Sequence, residues 1–267
     1  MTGLEEADAG RGRLACVGVG MTLGAHLAPR ARSHIEQADV VFSAMSDPIV
    51  ELWVQGMNAD VRSLQPLYRE GKPRRETYRE MVEAMLAEVR RGRRVCGAFY
   101  GHPGVFAQVP HRAVEQARAE GFEAVMEAAV SAEDCLYADL GIDPGAVGCQ
   151  HFEASQFMFY ERRVDPSAYL VLWQIGVAGD LSTGRLSTDA GTKQVLVDLL
   201  LGDYPAGHEV IAYEAATLPI SRPRMDRLPL DQLPTATLSV ATTLVVPPAV
   251  PLRRNERVLA RLRALGG

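Results

Sequence analysis

Apolar residues fall along this chain in two rhythms. Short unbroken runs, Leu14 to Val19, Val40 to Ala44 and Arg94 to Ala98, read as strands buried on both faces, as in a parallel sheet. From Arg74 to Arg91 the pattern changes: Tyr78, Met81, Val82, Met85, Leu86 and Val89 recur at three- and four-residue steps, predicting a long amphipathic helix stopped at Gly92. A helix is predicted over Pro29 to Ala38. Asp47-Pro48 supplies a capping carboxylate and a first-turn proline, so Ile49 to Met57 is expected as a short helix, followed by a loop from Leu64 to Pro73. A helix over His111 to Glu120 closed by Gly121, a strand over Phe122 to Met126, and a helix opening at Ser131 with Glu133 and Asp134 in its first turn continue the alternation. Alternation of this kind implies an α/β fold with a largely parallel sheet.

The charged, proline-containing stretch Glu161 to Pro166 interrupts the rhythm, so two α/β domains are expected, at 13–163 and 167–250. The second should hold strands over Tyr169 to Ile175, Glu209 to Ala216 and Leu238 to Val246, and a helix over Thr192 to Leu201. Residues 1–12 read as a disordered leader. The basic tail, 251–267, sets five arginines around Val258, Leu262 and Leu265 at helical spacing, either a solvated helix or one that docks on a partner.

Composition narrows the partners. The chain has 267 residues, 47% hydrophobic and 23% charged, enough for a sizeable core, and its net charge of -5 argues against nucleic acid, whose grip needs clustered Lys and Arg. No apolar run approaches the roughly 18 residues of a membrane span and the first residues lack a signal-peptide core, so a cytoplasmic protein with no membrane partner is expected. Cys16, Cys96, Cys135 and Cys149 form no C-x-x-C pair and read as structural thiols. The six histidines fall in no ligand spacing, so no metal is expected.

Candidate chemistry gathers around Phe99-Tyr100-Gly101-His102-Pro103-Gly104-Val105-Phe106, where a predicted strand ends in irregular backbone, the edge at which open α/β sheets hold ligands. The earlier Gly18-Val19-Gly20 invites a dinucleotide reading, but Leu23 takes the third glycine position and no acidic residue ends the second strand. Arg74 and Tyr78, four apart near the start of the long helix, share a face. The preceding loop brings Tyr68 within reach, and Tyr100 comes from a neighbouring strand end. A guanidinium stays protonated, but beside a phenol it favours the phenolate and steadies an anion on a carbonyl oxygen. Tyr78 as a core-facing aromatic and Arg74 as a surface charge is the plain alternative.

Tyr100 to Phe106, Val130-Ser131-Ala132-Glu133-Asp134-Cys135-Leu136, Ala138-Asp139-Leu140-Gly141-Ile142-Asp143-Pro144 and Glu70-Gly71-Lys72-Pro73-Arg74 together resemble the borosin peptide backbone α-N-methyltransferases, of the tetrapyrrole methylase-like S-adenosylmethionine enzymes. The likeness runs from Arg13 to Pro248. It implies two α/β domains of the tetrapyrrole methylase type, with S-adenosylmethionine in the interdomain cleft, S-adenosylhomocysteine as product and no metal. It implies cofactor contacts from Tyr100, His102, Val105, Phe106, Ser131 and Ala132, and from Gln174, Tyr213, Ala215 and Thr243 of the second domain. The family's catalytic cluster falls on Tyr68, Arg74, Tyr78 and Tyr100, the residues that spacing had selected. A homodimer, each subunit completing the other's site, is also implied. Fused members continue into a clasp and an apolar core peptide, whereas Leu252 to Gly267 is arginine-rich, so the expectation is a split enzyme acting on a separate precursor peptide. Two departures stand out: Ala128-Ala129 where the family usually has Pro-Gly, and Gln65 where an aromatic is frequent. A methyltransferase of the same fold acting on a tetrapyrrole or another small molecule, and a non-catalytic S-adenosylmethionine- or peptide-binding protein, stay open as alternatives.

Overall fold

The computed structural model describes residues 11–185 and 187–266. The leader expected over residues 1–12 therefore lies, apart from Arg11 and Gly12, outside the described residues. The chain divides into two compact units: one of Met1–Ile142, Asp180–Ser187 and Tyr213–Met225, the other of Asp143–Gly179, Thr188–Ala212 and Asp226–Gly267.

In the first unit, β1 (Arg13–Gly18), α1 (Pro29–Gln37), β2 (Val40–Ala44), α2 (Pro48–Gln55), β3 (Val61–Ser63), α3 (Arg74–Arg90), β4 (Arg94–Phe99), α4 (Gln108–Ala119), β5 (Glu123–Met126) and α5 (Ala132–Leu140) follow in order. The sheet runs β3-β2-β4-β1-β5 with every pairing parallel. Successive side chains on a strand point to opposite faces, and the core divides accordingly. Leu14, Cys16, Val95 and Phe99 pack with Met81, Met85 and Leu86 of α3 and Ala113 and Val114 of α4. Ala15, Val17, Cys96 and Ala98 pack with Ala31 and Ile35 of α1 and Val50 and Val54 of α2. Both faces are covered, which is why β1, β2 and β4 are apolar without alternation. Asp47 caps α2 as expected, its Oδ1 accepting the Ile49 N–H at 2.7 Å.

The second unit is built from α6 (Pro144–Val147), β6 (Cys149–Glu153), α7 (Ala154–Phe159), β7 (Tyr169–Trp173), α8 (Ala190–Leu200), β8 (Glu209–Glu214), β9 (Arg224–Pro229), β10 (Thr243–Val246) and α9 (Glu256–Ala264), with strand order β6-β7-β10-β8-β9, except that the end of β8 (Tyr213, Glu214) and the start of β9 (Arg224, Met225) fall in the first unit. Its sheet is mixed: β6 is parallel to β7 and β10 antiparallel to it. Leu170, Leu172, Leu196, Leu200, Val210 and Leu244 form its core. The strand expected from Leu238 starts only at Thr243, because Ser239 and Thr242 close a turn first: the Ser239 N–H donates to Thr242 Oγ1 at 2.7 Å and the Thr242 N–H to the Ser239 carbonyl at 3.1 Å. Among the described residues no helix is long and apolar enough to cross a membrane.

Candidate functional site

The order β3-β2-β4-β1-β5 has a topological consequence. From β1 the chain crosses past β4 to β2, and from β4 it crosses past β1 to β5, so at the carboxyl ends of these neighbouring strands the connections leave in opposite directions. Open α/β sheets hold their ligands at such a switch point. Gly18-Val19-Gly20 and Tyr100-Gly101-His102 meet there, joined by a bridge between Gly20 and Gly101. His102 stabilises the second loop, its Nδ1 accepting the Gly104 N–H at 2.8 Å, while the carbonyl of Gly104 pairs with His111 Nε2 at 2.9 Å. Val105 follows, its N–H on the His102 carbonyl at 3.3 Å. Phe106 then adopts φ +48°, a left-handed conformation that costs a bulky residue about 1 kcal/mol, and strain of this kind concentrates where a ligand is held. Neither Ala128 nor Ala129 has a positive φ, so the departure from Pro-Gly introduces no backbone strain.

Tyr68, Arg74, Tyr78 and Tyr100 come together. The rings of Tyr68 and Tyr78 meet edge to face with centroids 6.4 Å apart. Tyr78 is half-buried against the core beneath α3, so the plain reading of its position is also correct: the ring packs while its hydroxyl reaches the cluster. Burial pushes the Tyr68 phenol well up, the nearness of Tyr78 and Tyr100 adds to this, and Arg74 opposes it. Tyr100 is raised by desolvation and then by Tyr78, again against Arg74. The arginine acts in the direction expected of it, but desolvation outweighs it at both residues even though 40% of Tyr68 and 46% of Tyr100 stays exposed, and both phenols are hydrogen-bond donors, as an ordinary phenol is at neutral pH. Gln65 is committed elsewhere, its side-chain amide donating to the Met45 carbonyl.

A pocket opens beside the cluster, lined by Tyr68, Lys72 and Arg74 and by Thr183 and Gly184. Lys72 is held by Glu80 at 2.6 Å and by the Leu67 carbonyl at 3.1 Å. The 183–184 wall was not legible in the sequence. Asp180, Ser182 and Gly184 mark a turn there, but not what the turn packs on.

Ser131 and Ala132 open α5. Ser131 Oγ accepts the Asp134 N–H at 3.2 Å and donates to Asp134 Oδ2 at 2.7 Å, while the Ser131 N–H also reaches Oδ2 at 2.7 Å, a closed capping box. Burial disfavours the Asp134 charge, but the bonds from Ser131 and its own N–H, with the charge of His102, hold the carboxyl below its usual range. Ser131→Ala is expected to cost about 1 kcal/mol, seen as roughly 2–4 °C in thermal unfolding. A depressed carboxyl stabilises the fold above its unfolded-state value and loses that contribution as pH falls through its folded one, so the deficit should be full at neutral pH and shrink in acid.

Tyr213 and Ala215 belong to the first unit. Tyr213 is 1% exposed and its hydroxyl donates to Asp139 Oδ2 at 2.7 Å; burial, then that carboxylate, drive its phenol far up and keep it a donor. Gln174 and Thr243 belong to the second unit. Gln174 takes φ +60° at the end of β7, and Thr243 is buried at the start of β10. All four cysteines are free. Burial pushes Cys16 up to about 12 and Cys135 up to about 11, the latter aided by Asp139 and Asp134.

Comparison with known proteins places this geometry in context. The family model described as Tetrapyrrole (Corrin/Porphyrin) Methylases matches residues 13–233. The chain is 39% identical over 258 residues to the methyltransferase/ribosomally synthesized cyclic peptide gymnopeptides precursor of Gymnopus fusipes, covering 95% of this chain and 61% of that protein. It is 40% identical over 260 residues to a methyltransferase/type I borosin cyclic peptide precursor of Coprinopsis marcescibilis, with 95% and 66% covered. With the omphalotin A precursor of Omphalotus olearius the figures are 39% identity over 258 residues, with 95% and 62% covered. The chain thus spans 61–66% of the length of these curated relatives. Among solved structures, a cobalamin biosynthetic cobalt precorrin-4 methyltransferase superposes with TM-score 0.61 at 17% identity, covering 88% of this chain and 94% of that one. The methyltransferase CobJ superposes with TM-score 0.59 at 16% identity, covering 91% and 97%. At such identities these two speak for the fold.

Proposed function

The chain belongs to the tetrapyrrole (corrin/porphyrin) methylase family, and from that premise we propose that it is an S-adenosylmethionine-dependent methyltransferase acting on backbone amide nitrogens of a ribosomal peptide supplied as a separate precursor. The observation that carries the reading is the meeting of Tyr68, Arg74, Tyr78 and Tyr100 around one point, three phenols and one fixed cation. Relatives whose names join a methyltransferase to a cyclic peptide precursor support a peptide substrate, though in their names enzyme and precursor are one protein.

S-adenosylmethionine, when bound, supplies a methyl group on a sulfonium, open to attack by a nitrogen. His102, Val105, Phe106, Ser131 and Ala132 would hold it. They fit such a group in that Phe106 keeps a left-handed backbone and a ring 46% exposed, on the loop at the switch point.

An amide nitrogen is barely nucleophilic, because its lone pair is delocalised into the carbonyl. The protein must therefore take the N–H proton and steady the negative charge that passes to the carbonyl oxygen. Tyr100, held as a neutral phenol, donates to that oxygen, and the guanidinium of Arg74 adds a second, charged donor. Tyr78 takes the amide proton as its phenolate and leaves the step as a phenol, with the ring of Tyr68 packed edge to face against it.

Incubating the purified chain with S-adenosylmethionine and a short peptide encoded beside its gene, then reading intact mass and fragmentation, tests the proposal. Methyl increments on backbone amides of the added peptide are expected. Increments on the chain itself would overturn the separate precursor, and increments only on a tetrapyrrole, or none despite tight S-adenosylhomocysteine binding, would overturn the peptide reading.

A further inference from the structure

Helix α3 starts at Arg74 with Pro73 as its N-cap, and proline offers no side chain to satisfy the first free N–H groups. The cap comes instead from the segment Asp180–Arg185. The Arg74 N–H donates to the Thr183 carbonyl at 3.1 Å, the Gly71 N–H to the Gly184 carbonyl at 3.3 Å, and Arg74 Nη2 to the Arg185 carbonyl at 3.2 Å. Three consecutive carbonyls thus grip the loop, the start of the helix and the guanidinium. Gly184 permits the approach: a Cβ there would lie 3.3 Å from the carbonyl carbon of Gly71.

Those carbonyls face the loop because the turn is wound tightly. Thr183 holds φ +54°, a conformation a β-branched residue adopts only when its surroundings force it. The forcing group is the carboxylate of Asp180. Its Oδ1 accepts the Ser182 N–H at 2.9 Å and the Ser182 hydroxyl at 2.6 Å, and its Oδ2 accepts the Arg185 N–H at 2.7 Å. Ser182 Oγ in turn accepts the Gly184 N–H at 3.2 Å, and the Asp180 carbonyl accepts the Thr183 N–H at 3.3 Å. Burial works against the Asp180 charge, but these bonds outweigh it and hold the carboxyl below its usual range.

We infer that Asp180 is a positioning residue for the methyl-transfer site: through the turn it closes, it sets the three carbonyls that aim Arg74 at the reacting amide. The inference rests on the role proposed for Arg74. Asp180 touches neither cofactor nor peptide in this scheme, so its loss should appear in turnover while the peptide KM and the affinity for S-adenosylhomocysteine hold.

The test has two arms. In hydrogen–deuterium exchange on the full chain, Asp180→Ala should strip protection from the Gly71 and Arg74 amides while the amides of β1 and β4 stay protected. This readout does not depend on activity, so it stands even if the peptide reading fails. Unchanged protection at Gly71 and Arg74 would overturn the inference. In turnover, Asp180→Ala should lower kcat about 10- to 100-fold, the scale of a misplaced catalytic group. In an Arg74→Ala background it should do nothing further, and an equal loss in both backgrounds would show that Asp180 does not act through Arg74. Should Asp180→Ala fail to fold, Ser182→Ala removes one hydroxyl from the same turn and is read in the same way.

Discussion

Tyr78→Phe enzyme is expected to bind S-adenosylhomocysteine as tightly as the parent and to lose about 10²- to 10⁴-fold in turnover, the range that general acid–base groups supply. The substitution keeps the ring, so the packing against the core and the edge-to-face contact with Tyr68 survive. Only the oxygen that takes the amide proton goes. Arg74→Ala should behave alike for a different reason: the charge that faces the carbonyl oxygen is removed, while α3 keeps its backbone cap from Thr183. Mass spectrometry of a single-turnover time course and titration calorimetry with S-adenosylhomocysteine separate the two effects. Near-normal rates in both variants would sink the assignment.

Gly18→Ala is expected to destabilise the first unit by roughly 3 kcal/mol and to weaken cofactor binding with it. A methyl at Gly18 would stand 2.1 Å from the Gly101 carbonyl oxygen, 2.5 Å from Ala129 Cβ and 2.9 Å from Pro103 Cδ. The nearest of these is backbone, pinned where Gly20 and Gly101 bridge, so it cannot step aside without pulling the two strand-end loops apart. Those loops carry His102 and Phe106. Adding Ala129→Gly removes the second contact but not the first, and so should not rescue the variant. Denaturant unfolding checks the prediction, and a midpoint equal to the parent's would refute it.

How much of this was legible in the sequence depended on how local the determining physics is. Strands β1, β2 and β4 are covered on both faces and so are continuously apolar, and their runs marked them within a residue or two. The short β3, Val61–Ser63, and the polar β9, Arg224–Pro229, carry no such run. β9 is hydrogen-bonded beside β8, with ion pairs across the two strands, Arg224 with Glu214 at 3.0 Å and Arg227 with Glu209 at 2.7 Å, and those partners cannot be read from spacing. Helical spacing placed Arg74 beside Tyr78, and the strand-end pattern singled out Tyr100. The upward shift of the Tyr68 and Tyr100 phenols was not legible, because desolvation in the folded chain sets it. Nor was the turn at Asp180, since a carbonyl at 183 capping a helix that begins at 74 is a contact of the folded chain alone.

The order of the first sheet also bears on how the chain is made. Arg13 of β1 pairs with Arg94 of β4 on one side and with Glu123 of β5 on the other, so β1 leaves the ribosome well before either neighbour. At about 5–20 residues per second its apolar run waits several seconds for β4. Closing so long a loop before any pairing rewards it slows folding and exposes strand edges meanwhile. Production of this protein should therefore respond more to chaperone supply and growth temperature than its final packing suggests.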